Sequence, residues 1–158
     1  MHASSAACGS WLGRSVSLVS RRLAAGQRVR ERVMILGVGL DVVETERVAR
    51  ALAAHGRRFE ERVYSPAELA GCAHRVDRAQ ALAVRFAAKE AFLKALGTGW
   101  VRGLSLRQVE VVEQRGGRPA LKLAGAAATH ARRKRVRKIH VSLSHQPGLA
   151  AAVVILEG

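Results

Sequence analysis

Acidic residues, aromatics and cysteines are all scarce in this sequence, and each shortage closes off a class of protein. Aromatics make up only 4% of the 158 residues, with one Tyr, three Phe and two Trp. That leaves little ring surface for stacking single-stranded bases, and any core has to be built from Ala, Val and Leu. The two cysteines, Cys8 and Cys72, form no CxxC pair, so neither a disulfide framework nor a zinc site is indicated and a reducing, cytoplasmic compartment is expected. No apolar run approaches the roughly 18–20 residues of a spanning helix, which predicts a soluble chain with no membrane partner. A GxxxxGKS or GxxxxGKT loop and a GxSxG elbow are both missing, which excludes the P-loop and the nucleophile elbow of serine hydrolases.

What the chain has in excess is positive charge: 27 Lys and Arg against 12 Asp and Glu give a formal net charge of +15. Such a surplus describes partners rather than fold, and nucleic acid, an anionic surface, a polyphosphate ligand and an acidic protein all satisfy it. The length suits one domain, because a chain of this size buries roughly 70% of its unfolded surface.

Residues 1–33 contain six Arg, six Ser and a single acid, Glu31. They are expected to be a disordered basic extension, either a transit-type leader with Leu12, Val16, Val19 and Leu23 on one helical face or a stretch upstream of a functional start at Met34. From Met34 the pattern turns regular. Met34 to Val43 reads as a strand, and Glu44 to His55 as a helix carrying Val48, Ala51 and Leu52 inward. Ser65 and Pro66 open a short helix through Cys72, and a long helix follows from about Asp77 to Leu96. Leu106 to Glu113 alternates like a strand and turns at Gly116-Gly117 into a partner ending at Leu123. Ala124 to Arg135 reads as a helix, and His140 to Ser144 and Leu149 to Leu156 as strands joined at Pro147-Gly148. The class is α+β.

Asp41 ends an apolar strand, where a carboxylate is costly unless paired, metal-bound or exposed as the cap of the next helix. Gly37-Val38-Gly39 before it is no dinucleotide fingerprint, since Val42 stands where the third glycine belongs. Glu90 and Lys94, four apart, share a helix face that is either an ordinary surface ion pair or a metal and phosphate site, the carboxylate holding the ion and the ammonium neutralising phosphoryl oxygens. Gly97-Thr98-Gly99 makes a helix exit that offers a hydroxyl and N–H groups to an anion. Ser142, Ser144 and His145, read as facing one way, suit phosphate or ribose, with the basic run Arg132 to Lys138 beside them.

In chain order, GVGLDVVETERV (37–48), RFAAKEAFLKALGTG (85–99) and HVSLSHQPGLAAAVVILE (140–157) resemble the three sequence blocks of bacterial holo-[acyl-carrier-protein] synthases. The resemblance spans residues 34–158. It implies a compact phosphopantetheinyl transferase-like fold, an antiparallel sheet with a long packed helix, forming a homotrimer with coenzyme A between subunits. It implies Asp41 and Glu90 as ligands of Mg²⁺; Glu90, Lys94 and His145 as catalytic groups; and Gly97, Thr98, Gly99, Ser144 and His145 around coenzyme A. Phosphopantetheine would pass to a serine of an acidic acyl carrier protein in fatty acid biosynthesis, docked on Arg47, Arg50 and Arg57, with 3′,5′-ADP released. Carrier domains of polyketide or peptide synthases are the alternative substrates. A basic nucleic-acid-binding protein is the rival class, disfavoured by the lack of stacking residues and of a recognition motif. Trp100 is bulkier than expected after Gly-Thr-Gly.

Overall fold

The computed structural model describes residues 33–99 and 103–158; the basic stretch 1–32 and Trp100 lie outside the described residues. Ten elements follow in order: β1 (Ile35–Glu44), α1 (Thr45–Val63), α2 (Pro66–Cys72), α3 (Arg78–Leu96), a 3₁₀ turn (Leu106–Gln108), β2 (Val109–Glu113), β3 (Pro119–Leu123), α4 (Gly125–Arg133), β4 (Lys138–Gln146) and β5 (Leu149–Glu157). They form an α+β fold with an antiparallel sheet ordered β1-β5-β4 and a separate hairpin β2-β3. The first strand thus pairs with the last, Gly39 opposite Val154 and Asp41 opposite Ala152.

Side chains alternate across a strand, so one sheet face carries Gly37, Gly39, Asp41 and Val43 of β1 with Ala150, Ala152, Val154 and Leu156 of β5, and this face meets α3. A Cβ built at Gly39 would collide with the Ala91 carbonyl, and one at Gly37 with that of Ala95. The GxG pair is therefore a seat for helix backbone. Its counterpart is the alanine content of α3, where Ala83, Ala87, Ala88, Ala91 and Ala95 are all buried together with Leu82, Phe92 and Leu96. Phe92 and Leu82, fully buried, are each worth roughly 1.5–3 kcal/mol.

The structure corrects two expected boundaries. Helix α1 does not stop at His55 but continues to Val63 across a kink at Gly56, whose φ of 47° breaks the helical path without ending the pattern. Leu106–Gln108 form the 3₁₀ turn rather than the start of a strand, because regular alternation begins only at Val109. The β2-β3 hairpin is separate from the three strands under α3. The start of α2 is as read, with a capping box between Ser65 and Glu68 and Pro66 in the first turn. Among the described residues no helix is long and apolar enough to cross a membrane.

Candidate active site

Asp41 lies two residues beyond Gly39 on the face that meets α3, its side chain 14% exposed. Helix α1 begins at Thr45 with Glu44 before it and no side-chain cap, so Asp41 is not the helix cap that its position allows. Its partner is Lys94, whose Nζ donates to Asp41 Oδ1 at 2.8 Å and to the Leu40 carbonyl at 3.0 Å. The alternative of a surface pair between Glu90 and Lys94 therefore fails, because the ammonium bridges from helix to strand.

Glu90 stands one turn before Lys94, half-buried. Burial raises its carboxyl pKa first and the charge of Asp41 raises it further, while Lys94 and Arg47 pull it back. Two carboxylates thus share one small region, Asp41 in contact with the Lys94 ammonium and Glu90 within the field of Lys94 and Arg47, and the carboxylate pair is a donor set that a divalent cation could use. Among the described residues no cluster of three or more His, Cys, Asp or Glu side chains could hold a metal. A pair of carboxylates suits Mg²⁺, which keeps several waters and takes phosphate oxygens as further ligands.

Gly97 closes α3 in the left-handed conformation at φ 64°, its N–H reaching the Leu93 and Lys94 carbonyls. Thr98 Oγ1 donates to the adjacent Gly99 carbonyl at 3.3 Å. Lys134 of the basic run comes up to this exit, its Nζ 3.4 Å from where a Gly97 Cβ would be. Lys94, Gly97–Gly99 and Lys134 therefore follow one another along one end of the helix.

Ser144 and His145 are not brought into that cluster within one chain, and they do not face the same way. Ser144 aligns with Ala151 and Val42 on the sheet face away from α3, whereas His145 aligns with Ala150 and Val43 on the α3 face. Ser142 shares the side of Ser144, since successive side chains of a strand point to opposite faces. His145 lines a cleft of about 620 Å³ with Arg75, Gln80, Arg85, Pro119 and Leu143, and Ser144 and His145 together line a smaller one of about 190 Å³ with Val42 and Leu149.

Arg85 was missed as a site residue by the sequence reading. Its Nη1 donates to the Ala81 carbonyl at 2.9 Å, but its Nε is buried with no partner, and the side chain lines the same cleft as His145. The available signal was a guanidinium five residues before Glu90 on a helix with little solvent face. Of the arginines expected to dock a carrier protein, Arg47 and Arg50 are exposed on the first half of α1. Arg50 has a loose pair to Glu46 at 3.8 Å, and Arg57 is held by Glu61 at 2.6 Å.

The family model for the 4′-phosphopantetheinyl transferase superfamily matches residues 37–154. A holo-[acyl-carrier-protein] synthase of Anaeromyxobacter dehalogenans is 55% identical over 129 residues, covering 79% of this chain and 98% of the relative. Among solved structures, the holo-[acyl-carrier-protein] synthase of Neisseria meningitidis superposes with a TM-score of 0.74 at 31% identity, over 79% of this chain and 100% of that one. The Helicobacter pylori synthase, solved in complex with coenzyme A, does so with a TM-score of 0.67 at 28% identity, over 75% and 98%. With a matched domain, relatives of nearly the same length and a shared fold, the chain belongs to the 4′-phosphopantetheinyl transferase superfamily, among the holo-[acyl-carrier-protein] synthases.

Proposed function

We propose that residues 34–158 transfer the 4′-phosphopantetheine moiety of coenzyme A to a serine of an apo acyl carrier protein, giving the holo protein and 3′,5′-ADP. The observation that carries the reading is the meeting of Asp41, Glu90 and Lys94 at the β1–α3 contact. The serine oxygen attacks the β-phosphorus of coenzyme A, a new O–P bond forms, and the bond from that phosphorus to the bridging oxygen breaks. Glu90 accepts the serine proton, a role suited to a carboxyl whose pKa lies above the ordinary range. Lys94 neutralises charge on the departing phosphate, or donates a proton to it, once it leaves Asp41.

Asp41 and Glu90 would hold Mg²⁺, which supplies a Lewis acid to the pyrophosphate oxygens when bound. Gly97–Gly99 and Lys134 suit anionic parts of coenzyme A. The cleft lined by Arg75, Arg85 and His145, with Asp77 and Glu113 also on its wall, suits another, its Pro119 and Leu143 side fitting a base or ribose.

Val38, Leu40 and Val42 are 60%, 59% and 57% exposed on the sheet face opposite α3. Apolar area of this kind favours burial against further copies of the chain, which supports a homotrimer. Coenzyme A between copies then explains why Ser144 and His145 lie apart from Lys94 within one chain. Arg47 and Arg50 steer the acidic carrier protein toward Asp41, with Arg57 contributing less because Glu61 holds it. Cys72 is free and buried, in keeping with a reducing cytoplasm.

The test is intact mass of apo acyl carrier protein incubated with the protein, coenzyme A and Mg²⁺. A gain of one phosphopantetheine is expected, lost with Asp41→Ala and with Glu90→Ala. No gain across several fatty-acid, polyketide and peptide-synthase carriers would defeat the proposal.

A further inference from the structure

Helix α3 carries a second lysine and carboxylate contact that the reaction does not use. Lys89, immediately before Glu90, is fully buried, and its Nζ donates to Glu68 Oε2 at 2.7 Å, to the Val109 carbonyl at 2.5 Å and to the Leu106 carbonyl at 3.2 Å. All three ammonium protons are therefore placed. Glu68 is as fully engaged, accepting from the Ser65 N–H at 2.8 Å and from the Val111 N–H at 3.0 Å. The ring of Tyr64 lies 5.7 Å from the ammonium. One side chain of α3 is thereby tied to the start of α2, to the 3₁₀ turn and to β2.

We propose that Glu68 and Lys89 are positioning residues for the active site: their ion pair sets the rotation and axial register of α3 so that Glu90 and Lys94 face Asp41. The inference rests on the reading of Asp41 and Glu90 as the metal pair. Gln80 Nε2 donates to the Leu149 carbonyl at 2.9 Å and the Tyr64 hydroxyl to the Leu82 carbonyl at 3.1 Å, both in the first half of α3; nearer Glu90, another restraint is the seat of Ala91 and Ala95 on Gly39 and Gly37. That contact of small groups fixes how near the helix comes to β1, but it offers no directional bond to fix its turn. Neighbouring residues lie about 100° apart around a helix, so pinning Lys89 also orients Glu90. Stability alone is a poor reason for such a pair, because well-packed apolar residues commonly serve a core as well or better. What apolar packing lacks is the direction that five hydrogen bonds impose.

The experiment uses the full chain and three variants: Glu68→Gln, the charge-free double variant Glu68→Gln/Lys89→Met, and Val63→Ala, a core truncation in α1 that lowers stability away from the pair. All are assayed well below their melting midpoints for kcat, for KM of coenzyme A and, without carrier protein, for Mn²⁺ affinity by electron paramagnetic resonance. Glu68→Gln and the double variant are expected to lose about tenfold or more in kcat and in Mn²⁺ affinity, as removal of groups supporting metal ligands commonly does. KM for coenzyme A should stay within about twofold, since neither residue is placed to touch it. Val63→Ala should keep wild-type values. Should Glu68→Gln fail to fold, the double variant decides. Wild-type kcat and Mn²⁺ affinity in the folded variants, or equal losses in Val63→Ala, would overturn the inference while leaving the proposed function intact. Absence of Mn²⁺ binding by the wild-type chain in the presence of coenzyme A would overturn the metal reading and the positioning role together.

Discussion

Helix α3 holds two lysines five positions apart, each with a carboxylate oxygen under 3 Å away, yet their surroundings differ. Lys89 and Glu68 are both 0% exposed at 2.7 Å, whereas Lys94 is 54% and Asp41 14% exposed at 2.8 Å. Burial lowers the Lys89 pKa in spite of the attraction of Glu68, so this ammonium stays charged only while its partners stay in place. Lys94, half open to water, is the lysine that the proposed reaction would move from Asp41 to a phosphate. The same pair of residue types thus fixes structure where it is dry and remains available for chemistry where it is wet.

The largest expected effect falls on the wet side. Glu90→Ala should lower transfer by on the order of 10³-fold with little loss of stability, measured as holo carrier formed per minute beside a thermal melt. A large fall in the melting midpoint would turn Glu90 into a structural residue. The two lysines should then separate cleanly. Lys89→Met strands a buried carboxylate and is expected to cost roughly 3–5 kcal/mol in urea unfolding. Lys94→Met should cost no more than about 1 kcal/mol while transfer drops roughly 10²-fold. Equal destabilisation by the two would erase the distinction between the pairs.

A smaller effect concerns the rim of the open site. Arg47→Glu/Arg50→Glu should raise KM for the carrier protein about tenfold at low salt, less at high salt, with kcat nearly kept. Arg57→Glu should do less, because its charge is already opposed by Glu61; an equal effect would move the docking surface past the Gly56 kink.

The smallest is a pH slope. Because the folded pKa of Glu90 is raised, the native state holds more protons than the unfolded one between the ordinary carboxyl range and the raised value. Stability from this group therefore falls as pH climbs through that window and returns as pH drops. Subtracting the melting midpoints of Glu90→Gln from those of wild type across pH 4–7 should show wild type gaining relative stability toward acid. A flat difference would mean that Glu90 is neither buried nor near Asp41.

Much of the fold was legible because its signals are local. Ser65 with Glu68 three residues on, Pro66, the glycine exit after Leu96 and the Pro147-Gly148 turn act through their own backbone, and each marks a boundary where the structure has one. The Leu106 boundary was misread because the three residues Leu106–Gln108 were read as part of the strand's alternation although they form a 3₁₀ turn. The helix end at His55 was misread because Gly56 both permits a kink and imitates a stop.

For the site, Asp41, Glu90 and Lys94 could be chosen from sequence, since their residue types and the one-turn spacing on α3 are visible there. That Lys94 reaches across to Asp41, 53 positions away, depends on the packing of β1 against α3. So does the function of Gly37 and Gly39, which is to let two backbones approach. Strand parity turns Ser144 and His145 to opposite faces, yet both line one small cleft at the β4–β5 turn, and Arg85 drew no notice because an unpaired donor is a property of surroundings.

The sequence by itself determined the α+β element order, the long small-residue helix, the positive charge and the residue types able to hold phosphate and metal, because these follow from composition, spacing and local backbone preference. Only the tertiary structure decided which lysine would be dry and which wet, which sheet face would stay open, and which distant carboxylate each ammonium would meet. Burial and long-range pairing arise when separate elements pack together and exclude water, and no single segment of the chain encodes that alone.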